Sequence, residues 1–387
     1  MPIINSLLGT DLYKLTTLQA IYHQFPQVHV KFKFKCRNQK INFTEHVNEI
    51  RHEINKLENL RLTDEEFKYL KTIRFMKEDF LYFLKDFKLK PKQFVTITDE
   101  GEIEIEGPWV QTTLFEIYIL AIVNEIHFKY VAFYSDVDWK KIGHARLDDK
   151  VKILKTAPEG FMFSEFGTRR RFSRDWQEYA VIPTLIKTGK LAGTSNVYLA
   201  MKHGLIANGT MPHEWLQAGQ AAEVRLVESQ KYMLDAWARE YRGDLGIALT
   251  DVIGMDAFLK DFDMFFAKLY DGCRHDSGDP YKWCDKLIDH YNKMGIDPKT
   301  KTAVWSDGLD IPKSIDLYNT FHELIKCGFG IGTDLTNDVG FDPLNIVIKM
   351  TECNRQPVAK LSDSSGKTMC EDEQYVKYLK KVFNKND

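Results

Sequence analysis

The sequence predicts a mixed α/β protein in which an irregular α/β barrel, similar to a TIM barrel, follows an N-terminal α+β domain. The 387 residues suffice for a barrel-sized domain and a smaller companion. The first hundred residues contain strictly alternating strand patterns, whereas after about residue 155 short apolar runs recur, each ending in polar or glycine residues. In α/β barrels such runs are strands, and their carboxyl ends carry the catalytic groups.

The N-terminal part combines helices with a small antiparallel sheet. Residues 10–25 have a helical pattern with Asp11 near its start, and residues 28–36 (VHVKFKFKC) alternate as a half-buried strand does. Residues 44–87 are charged, with apolar side chains at helical spacing, and residues 94–106 indicate a hairpin. We expect a scaffold or dimerisation domain, because this part carries little recognisable chemistry.

The predicted barrel strands are FMFSEF, KLAGTSN, GIALTD, TAVWSDG and GFGIGTD, with CRHDSGDP as a loop between two of them. An open doubly wound sheet is the alternative, but the sequence has no GxGxxG between a strand and a helix. We place the barrel at residues 141–344 and the N-terminal domain at 1–140. Two later strands, NIVIKM and PVAKLS, and a charged last helix within about 345–387 are expected to complete the N-terminal domain.

Composition indicates a cytoplasmic protein without nucleic-acid or membrane partners. The net charge of −2 provides no general positive field for nucleic acid or anionic lipid. The six cysteines are scattered without a CxxC pair, which favours reduced thiols over disulfides or zinc. The N-terminus lacks the pattern of a secretory signal, and the longest apolar stretch, near residues 114–123, is too short to span a bilayer.

Two segments have the chemistry of an anion site. Closely spaced Gly330 and Gly332, followed by Thr333, can direct backbone N–H groups at a phosphate, although a glycine-rich strand end is more often a tight turn. The segment RHDSGDP supplies Arg274 for an anion and two carboxylates, Asp276 and Asp279, for a sugar diol or Mg²⁺. A capped helix start with solvated charges explains the second segment equally well.

Further candidates follow other strand-like runs. Asp251 and Asp307 stand just after apolar runs, where a helix-capping aspartate is the common alternative. His213 lies between a proline and a glutamate at an expected helix start, where a neutral imidazole can act as nucleophile or base. Most of the eleven histidines, however, are expected to be surface or packing residues.

One apparent nucleotide-binding motif is incomplete. The segment SGKT at residues 365–368 imitates the end of a Walker A loop, but Leu361 stands where that motif requires its first glycine. We therefore expect any ATP to bind elsewhere.

Taken together, these segments resemble the nicotinate phosphoribosyltransferase family, particularly its bacterial and fungal branch. The matching motifs are TDLYK (10–14), EFGTRR (165–170), GTSN (193–196), HEW (213–215), LTD (249–251), RHDSGDP (274–280), WSD (305–307), GIGT (330–333), PLNIVIK (343–349) and KLSD (360–363). They run in consistent order from residue 10 to about 370. The resemblance implies a type II phosphoribosyltransferase fold, often paired head to tail so that the active site lies at a homodimer interface.

The resemblance also implies a reaction and a role for each residue. Nicotinate and phosphoribosyl pyrophosphate would give nicotinate mononucleotide and pyrophosphate, coupled to ATP hydrolysis, with Mg²⁺ on the pyrophosphate. Phe166 would stack on the pyridine ring, and Tyr13, from the neighbouring subunit, would cover its other face. The remaining assignments are Arg169 on the nicotinate carboxylate, Arg274, Asp276 and Asp307 on ribose and pyrophosphate, Gly330, Gly332 and Thr333 on a phosphate, His213 as the phosphorylated histidine, and Asp251 on its other ring nitrogen.

Ser195 is the residue expected to select the substrate. Related nicotinamide-using enzymes carry an acid at this position, which accepts from a carboxamide but repels a carboxylate, whereas serine donates to a carboxylate. The alternatives are a nicotinamide- or quinolinate-using phosphoribosyltransferase, or a ligand sensor on the same barrel without turnover. A kinase-like ATPase is disfavoured by the missing P-loop.

Overall fold

The computed structural model describes residues 2–38, 41–364 and 368–385. Most of the SGKT segment therefore lies outside the described residues. The N-terminal part contains α1 (Leu12–Gln24), β1 (His29–Cys36), α2 (Val47–Lys56), α3 (Asp64–Lys71), α4 (Glu78–Asp86), α5 (Pro91–Phe94), β2 (Val95–Ile97), β3 (Ile103–Pro108), α6 (Trp109–Thr112) and α7 (Phe115–Phe133). The predicted first helix, first strand and hairpin are confirmed, with β2 and β3 paired antiparallel.

The central part alternates strands with helices. Its elements are α8 (Trp139–Lys155), β4 (Phe163–Glu165), α9 (Ile182–Ile186), β5 (Leu191–Thr194), α10 (Val197–His203), β6 (Ile206–Ala207), α11 (His213–Ala218), α12 (Ser229–Tyr241), β7 (Arg242–Leu245), β8 (Ile247–Leu249), α13 (Met255–Asp261), α14 (Met264–Leu269), β9 (Gly272–His275), α15 (Pro280–Lys293), β10 (Thr302–Trp305), α16 (Ile311–Phe321), β11 (Lys326–Ile331) and α17 (Thr333–Thr336). The remaining elements are β12 (Ile346–Cys353), β13 (Gln356–Pro357) and α18 (Glu373–Val382).

Seven of these strands form one parallel sheet in the order β6-β5-β4-β11-β10-β9-β8. The last strand, β11, lies beside the first, β4, and neighbours in the chain are neighbours in the sheet, which is the order of a barrel. Within the described residues the ladder begins at β6 and ends at β8, so the sheet is a curled half-barrel. The prediction of an irregular α/β barrel is confirmed, and the open doubly wound sheet is excluded.

A second, antiparallel sheet has the order β13-β12-β1-β3-β2. The central strand β1 pairs with β3 on one side and with β12 on the other, so a C-terminal strand forms part of the N-terminal sheet. Helix α7 packs beneath it with residues such as Ile119 and Ile122 fully buried, as expected of a core helix. The exact domain boundaries stay a prediction.

Two predicted elements were wrong in detail. The segment CRHDSGDP is a loop only in its second half, because its first residues form β9 between β8 and β10. The segment PVAKLS is mostly not a strand: β13 ends at Pro357, and the backbone amides of Leu361 and Ser362 donate to the carbonyls of Val252 and Asp251. These bonds direct the chain away from the sheet and toward the end of β8. In the described part of the chain, no helix has the length and apolar character of a bilayer span.

Candidate active site

A cavity of about 590 Å³ lies between the carboxyl ends of the half-barrel strands and the antiparallel sheet. Both halves of the molecule contribute, since β1 and β12 form part of its wall through Phe32 and Lys349. The predicted site residues that line it are Tyr13, Phe166, Arg169, Ser195, His213, Arg274, Asp276, Asp307, Gly330, Gly332 and Thr333. Asp251 is 1% exposed and lies behind His213. The structure therefore gathers all the predicted residues in one place.

At one end of the cavity, the aromatic end, the ring of Phe166 packs directly against Gly330. The ring of Phe166, just after β4, lies so close to Gly330 of β11 that a Cβ on Gly330 would meet Phe166 Cδ2 at 2.3 Å. Buried Glu165 fixes this turn by accepting from the Gly167 amide at 2.5 Å and from the Thr194 hydroxyl at 2.6 Å. Gly330 thus has a packing role in addition to any contact with phosphate.

Tyr13 lines this cavity from the same chain as Phe166. One chain therefore brings its own Tyr13 to this cavity, and the expectation that a neighbouring subunit supplies the tyrosine stays a prediction. The cause is local: the Leu12 amide donates to the Ser195 carbonyl at 2.7 Å, and the Val197 amide donates to the Thr10 carbonyl at 3.0 Å. These backbone bonds join the start of α1 to the end of β5, so Tyr13 in the first turn faces the cavity of its own chain.

His213 lies in the cavity wall at the first residue of α11. Its Nε2 lies 3.0 Å from Oδ1 of Asp251 and 3.2 Å from Oδ2 of Asp276. Lys360 lies 2.6 Å from Oδ2 of Asp251 and 3.6 Å from Oδ2 of Asp276. The Ser277 hydroxyl also donates to Asp251 at 2.6 Å. One imidazole and one ammonium group are thus held by the same two carboxylates.

Charge in this cluster favours a neutral imidazole beside ionised carboxylates. Burial and the ammonium group of Lys360 lower the pKa of His213, outweighing the two aspartates. Burial alone would raise the pKa values of Asp251 and Asp276, but Lys360 and His213 hold both well below the usual range. A neutral imidazole whose Nε2–H donates to a carboxylate has its other nitrogen available as a nucleophile.

Other residues of the cavity wall carry groups that suit a sugar phosphate. Arg274 donates to the Thr210 hydroxyl at 2.8 Å, and the Ser306 hydroxyl donates to Oδ1 of Asp276 at 3.1 Å, so both charged side chains are oriented by a neighbour. Asp279, in contrast, caps α15 by accepting from the backbone amides of Tyr281 and Lys282.

Sequence comparisons decide the family. The chain matches the nicotinate phosphoribosyltransferase family over residues 161–387 and the N-terminal domain of the same family over residues 8–124. It is 52% identical to a nicotinate phosphoribosyltransferase of Cupriavidus necator, covering 99% of this chain and 98% of that protein. It is equally similar, at 52%, to one of Burkholderia mallei, with 98% and 97% covered. The chain belongs to the nicotinate phosphoribosyltransferase family.

Solved structures of this family have the same fold. A nicotinate phosphoribosyltransferase from Vibrio cholerae superposes with a TM-score of 0.93 at 38% identity, covering 99% of this chain and 94% of that one. One from Porphyromonas gingivalis gives 0.91 at 34% identity, with 99% and 100% covered. The family resemblance seen in the sequence is thereby confirmed.

Several cavity residues were missed as individual candidates. Lys349 and Lys360 stand in segments that matched the family, yet neither had been given a role; burial and Lys360 lower the pKa of Lys349 to about 7. Arg37, at the end of β1, and Glu116, on α7, line the cavity as well. The sequence signal that could have identified these residues is a charged side chain at the end of an apolar strand or inside an apolar helix. Their convergence depends on contacts between distant parts of the chain.

Proposed function

We propose that the protein forms nicotinate mononucleotide from nicotinate and phosphoribosyl pyrophosphate, with ATP hydrolysis coupled through phosphorylation of His213. The observation that carries this proposal is the position of His213, whose Nε2 is held by Asp251 and Asp276, in the same cavity as Phe166 and Arg169. Family membership supports the phosphoribosyl transfer.

The nicotinate would bind at the aromatic end. Phe166 and Tyr13 offer flat surfaces for the two faces of a pyridine ring. Arg169 offsets the carboxylate, and its pKa is raised by Tyr13, Asp276 and other acidic neighbours although burial opposes this, so it remains cationic. Ser195 lies in the same wall as a hydrogen-bonding group.

The phosphoribosyl donor would span the middle of the cavity. Arg274, Asp276 and Asp307 would hold ribose and pyrophosphate, and Gly330, Gly332 and Thr333 would face a phosphate. The C1–pyrophosphate bond breaks with its electron pair leaving on pyrophosphate, and the nicotinate nitrogen forms the new bond to C1. Positioning and charge neutralisation carry most of this reaction, because little proton transfer is required.

The energy coupling would use the second ring nitrogen of His213. Its hydrogen bonds in the described part of the chain are made through Nε2. Nδ1 would take the γ-phosphoryl group of ATP, releasing ADP, and water would later release the phosphate. Asp251 stabilises the imidazolium character that forms. Because burial lowers the pKa of Lys349 to about 7, its side chain is only partly protonated at neutral pH. The negative charge of the phosphoryl group would stabilise its protonated form.

Mg²⁺ fits this cavity as a companion of pyrophosphate. His213, Asp251 and Asp276 offer ligand atoms within 4.8 Å of one another, but the ammonium group of Lys360 lies beside both carboxylates and would repel a cation, so this trio does not suit a resident divalent ion. Asp307, which also lines the cavity, would supply a carboxylate oxygen to an ion bound with pyrophosphate. When bound, Mg²⁺ neutralises charge on the leaving pyrophosphate.

We further propose a cytoplasmic enzyme of the ligase class without nucleic-acid or membrane partners. A homodimer with the active site at its interface remains part of the proposal, although Tyr13 and Phe166 of one chain already share a cavity. Gel filtration with light scattering measures the oligomeric state.

The deciding experiment follows labelled nicotinate with phosphoribosyl pyrophosphate and Mg²⁺, with and without ATP, and quantifies mononucleotide and ADP together. We expect mononucleotide to rise with ATP while ADP appears in step. A His213→Ala protein should form no acid-labile phosphoprotein and lose the coupling. Coupled hydrolysis by His213→Ala would refute the phosphohistidine. Product from nicotinamide or quinolinate, but not from nicotinate, would refute the substrate assignment.

A further inference from the structure

The side chains of Asp11 and Ser195 form a buried pair in the cavity wall. Asp11 precedes α1 and forms an isolated β-bridge with Asn196, just after β5. The Ser195 hydroxyl donates to Oδ1 of Asp11 at 2.7 Å. Asp11 is 4% and Ser195 3% exposed, and both line the cavity. Although Asp11 occupies the N-cap position of α1, its side chain makes no capping hydrogen bond, so its contact with Ser195 has another role.

This pairing conflicts with the simplest role of Ser195. A serine hydroxyl has a single hydrogen, and here that hydrogen is used by Asp11. While Asp11 is ionised, Ser195 presents only lone pairs to the cavity, with a carboxylate directly behind it. A substrate carboxylate that approaches Arg169 would then meet no donor at Ser195 and a second negative charge nearby.

The surroundings of Asp11 favour its protonated form more than water does. Burial raises its pKa to about 6, although Ser195, Arg169 and Thr168 stabilise the ionised form. The other charged or titratable groups that act on it are Glu116 on α7, Glu165 at the end of β4 and Tyr13 on α1. A substrate carboxylate beside Asp11 would raise the pKa of Asp11 further and so favour its protonated form.

We propose that Asp11 is a specificity-determining residue that acts through Ser195: it takes up one proton when nicotinate binds and thereby frees the Ser195 hydroxyl to donate to the substrate carboxylate. The proton comes from solvent and binds a carboxylate oxygen of Asp11. The new O–H donates to Ser195 Oγ, and the Ser195 hydrogen rotates toward the substrate. The inference rests on the proposed function, since it requires nicotinate as the substrate.

The consequence is a substrate affinity that depends on pH. Above the pKa of Asp11 in the free enzyme, Asp11 is ionised, so nicotinate binding must be accompanied by proton uptake from solvent. This uptake becomes less favourable as pH rises. The KM for nicotinate should therefore rise, approaching tenfold per pH unit, between about pH 6.5 and pH 8.5. The KM for phosphoribosyl pyrophosphate, which does not meet this pair, should not follow that slope.

The test compares wild type with Asp11→Asn, assayed as the full chain with saturating phosphoribosyl pyrophosphate, Mg²⁺ and ATP. An asparagine amide donates to Ser195 without needing a proton, so the KM for nicotinate should stay flat over this range while the wild-type KM rises. Asp149→Asn, on the exposed face of α8, is the matched control and should keep the wild-type slope. If the titration of Lys349 caused the pH dependence of the KM for nicotinate, that dependence would persist in Asp11→Asn.

Ser195→Ala provides a second measurement that does not depend on the folding of Asp11→Asn. Its KM for nicotinate should exceed that of wild type roughly tenfold at pH 6.5. The ratio of the Ser195→Ala KM to the wild-type KM should fall as pH rises, because the wild-type hydroxyl is increasingly committed to Asp11. A flat wild-type KM, or the same slope in Asp11→Asn, would overturn the inference while leaving the proposed function intact. No mononucleotide from nicotinate at any pH would instead refute the proposed function.

Discussion

The ammonium group of Lys360 lies 2.6 Å from Oδ2 of Asp251, whose other oxygen, Oδ1, lies 3.0 Å from His213. Asp251 thus connects a buried cation to the imidazole proposed as the phosphoryl acceptor. Because Lys360 is also 3.6 Å from Asp276, it offsets the charge of both carboxylates around the ring. The charge state of His213 therefore depends on a residue about 150 positions later in the chain.

We expect Lys360→Met to destabilise the protein and to shift the titration of His213. Removing one partner of a buried ion pair costs about 3–5 kcal/mol. Because Lys360 lowers the pKa of His213, its removal should raise that pKa, and the acid limb of ATP hydrolysis should move to higher pH. Urea unfolding and the pH profile of hydrolysis measure the two effects. Lys286→Met, at a half-exposed pair with Asp256, is the control, and an unmoved acid limb would contradict the expectation.

Glu165 should make the protein less stable as pH rises. Burial raises its pKa to about 6, above that of the unfolded chain. Stability from a carboxyl group of this kind is fully present below the unfolded pKa and is lost as pH rises through the folded pKa. Between pH 5 and pH 7 this loss amounts to about 1 kcal/mol. Urea titrations at both pH values should find Glu165→Gln less sensitive to this change than wild type, and an equal sensitivity would refute the assignment.

The fold was largely predictable because its signals are local. Alternation identified β1, glycine and polar residues marked the ends of the barrel strands, and the apolar run near residue 115 identified the core helix α7. The segment 357–362 was misassigned because its backbone bonds go to Val252 and Asp251, which no local pattern reveals.

The site was predictable in its members but not in its contacts. Family motifs named Ser195 and His213, whereas the partners Asp11 and Lys360 come from distant segments brought together by the fold. The place of Tyr13 in the cavity of its own chain has the same origin, because it depends on how the start of α1 binds to the end of β5.

Lys14 should be essential for stability. It is fully buried, with its Nζ 2.5 Å from both Glu116 and Glu214, and so joins α1 to α7 and α11. Lys14→Met would leave two carboxylates without their cation, at a cost of about 3–5 kcal/mol. Lys152→Met removes an exposed pair and should leave the urea midpoint close to that of wild type. If Lys14→Met unfolded with the same urea midpoint as wild type, this expectation would be wrong.

Gly330→Ala should impair nicotinate binding through Phe166. The new Cβ would lie 2.3 Å from Phe166 Cδ2, so the ring must move from its place in the cavity wall. Loss of one stacking surface should raise the KM for nicotinate about threefold to tenfold, and overpacking should cost about 1–3 kcal/mol of stability. Gly328→Ala is the matched control on the same strand, because its Cβ would meet Val304 Cγ2 at a tolerable 3.3 Å. If both variants bind nicotinate equally well, the Phe166 ring does not form the substrate face, and the aromatic end of the cavity must be reassigned.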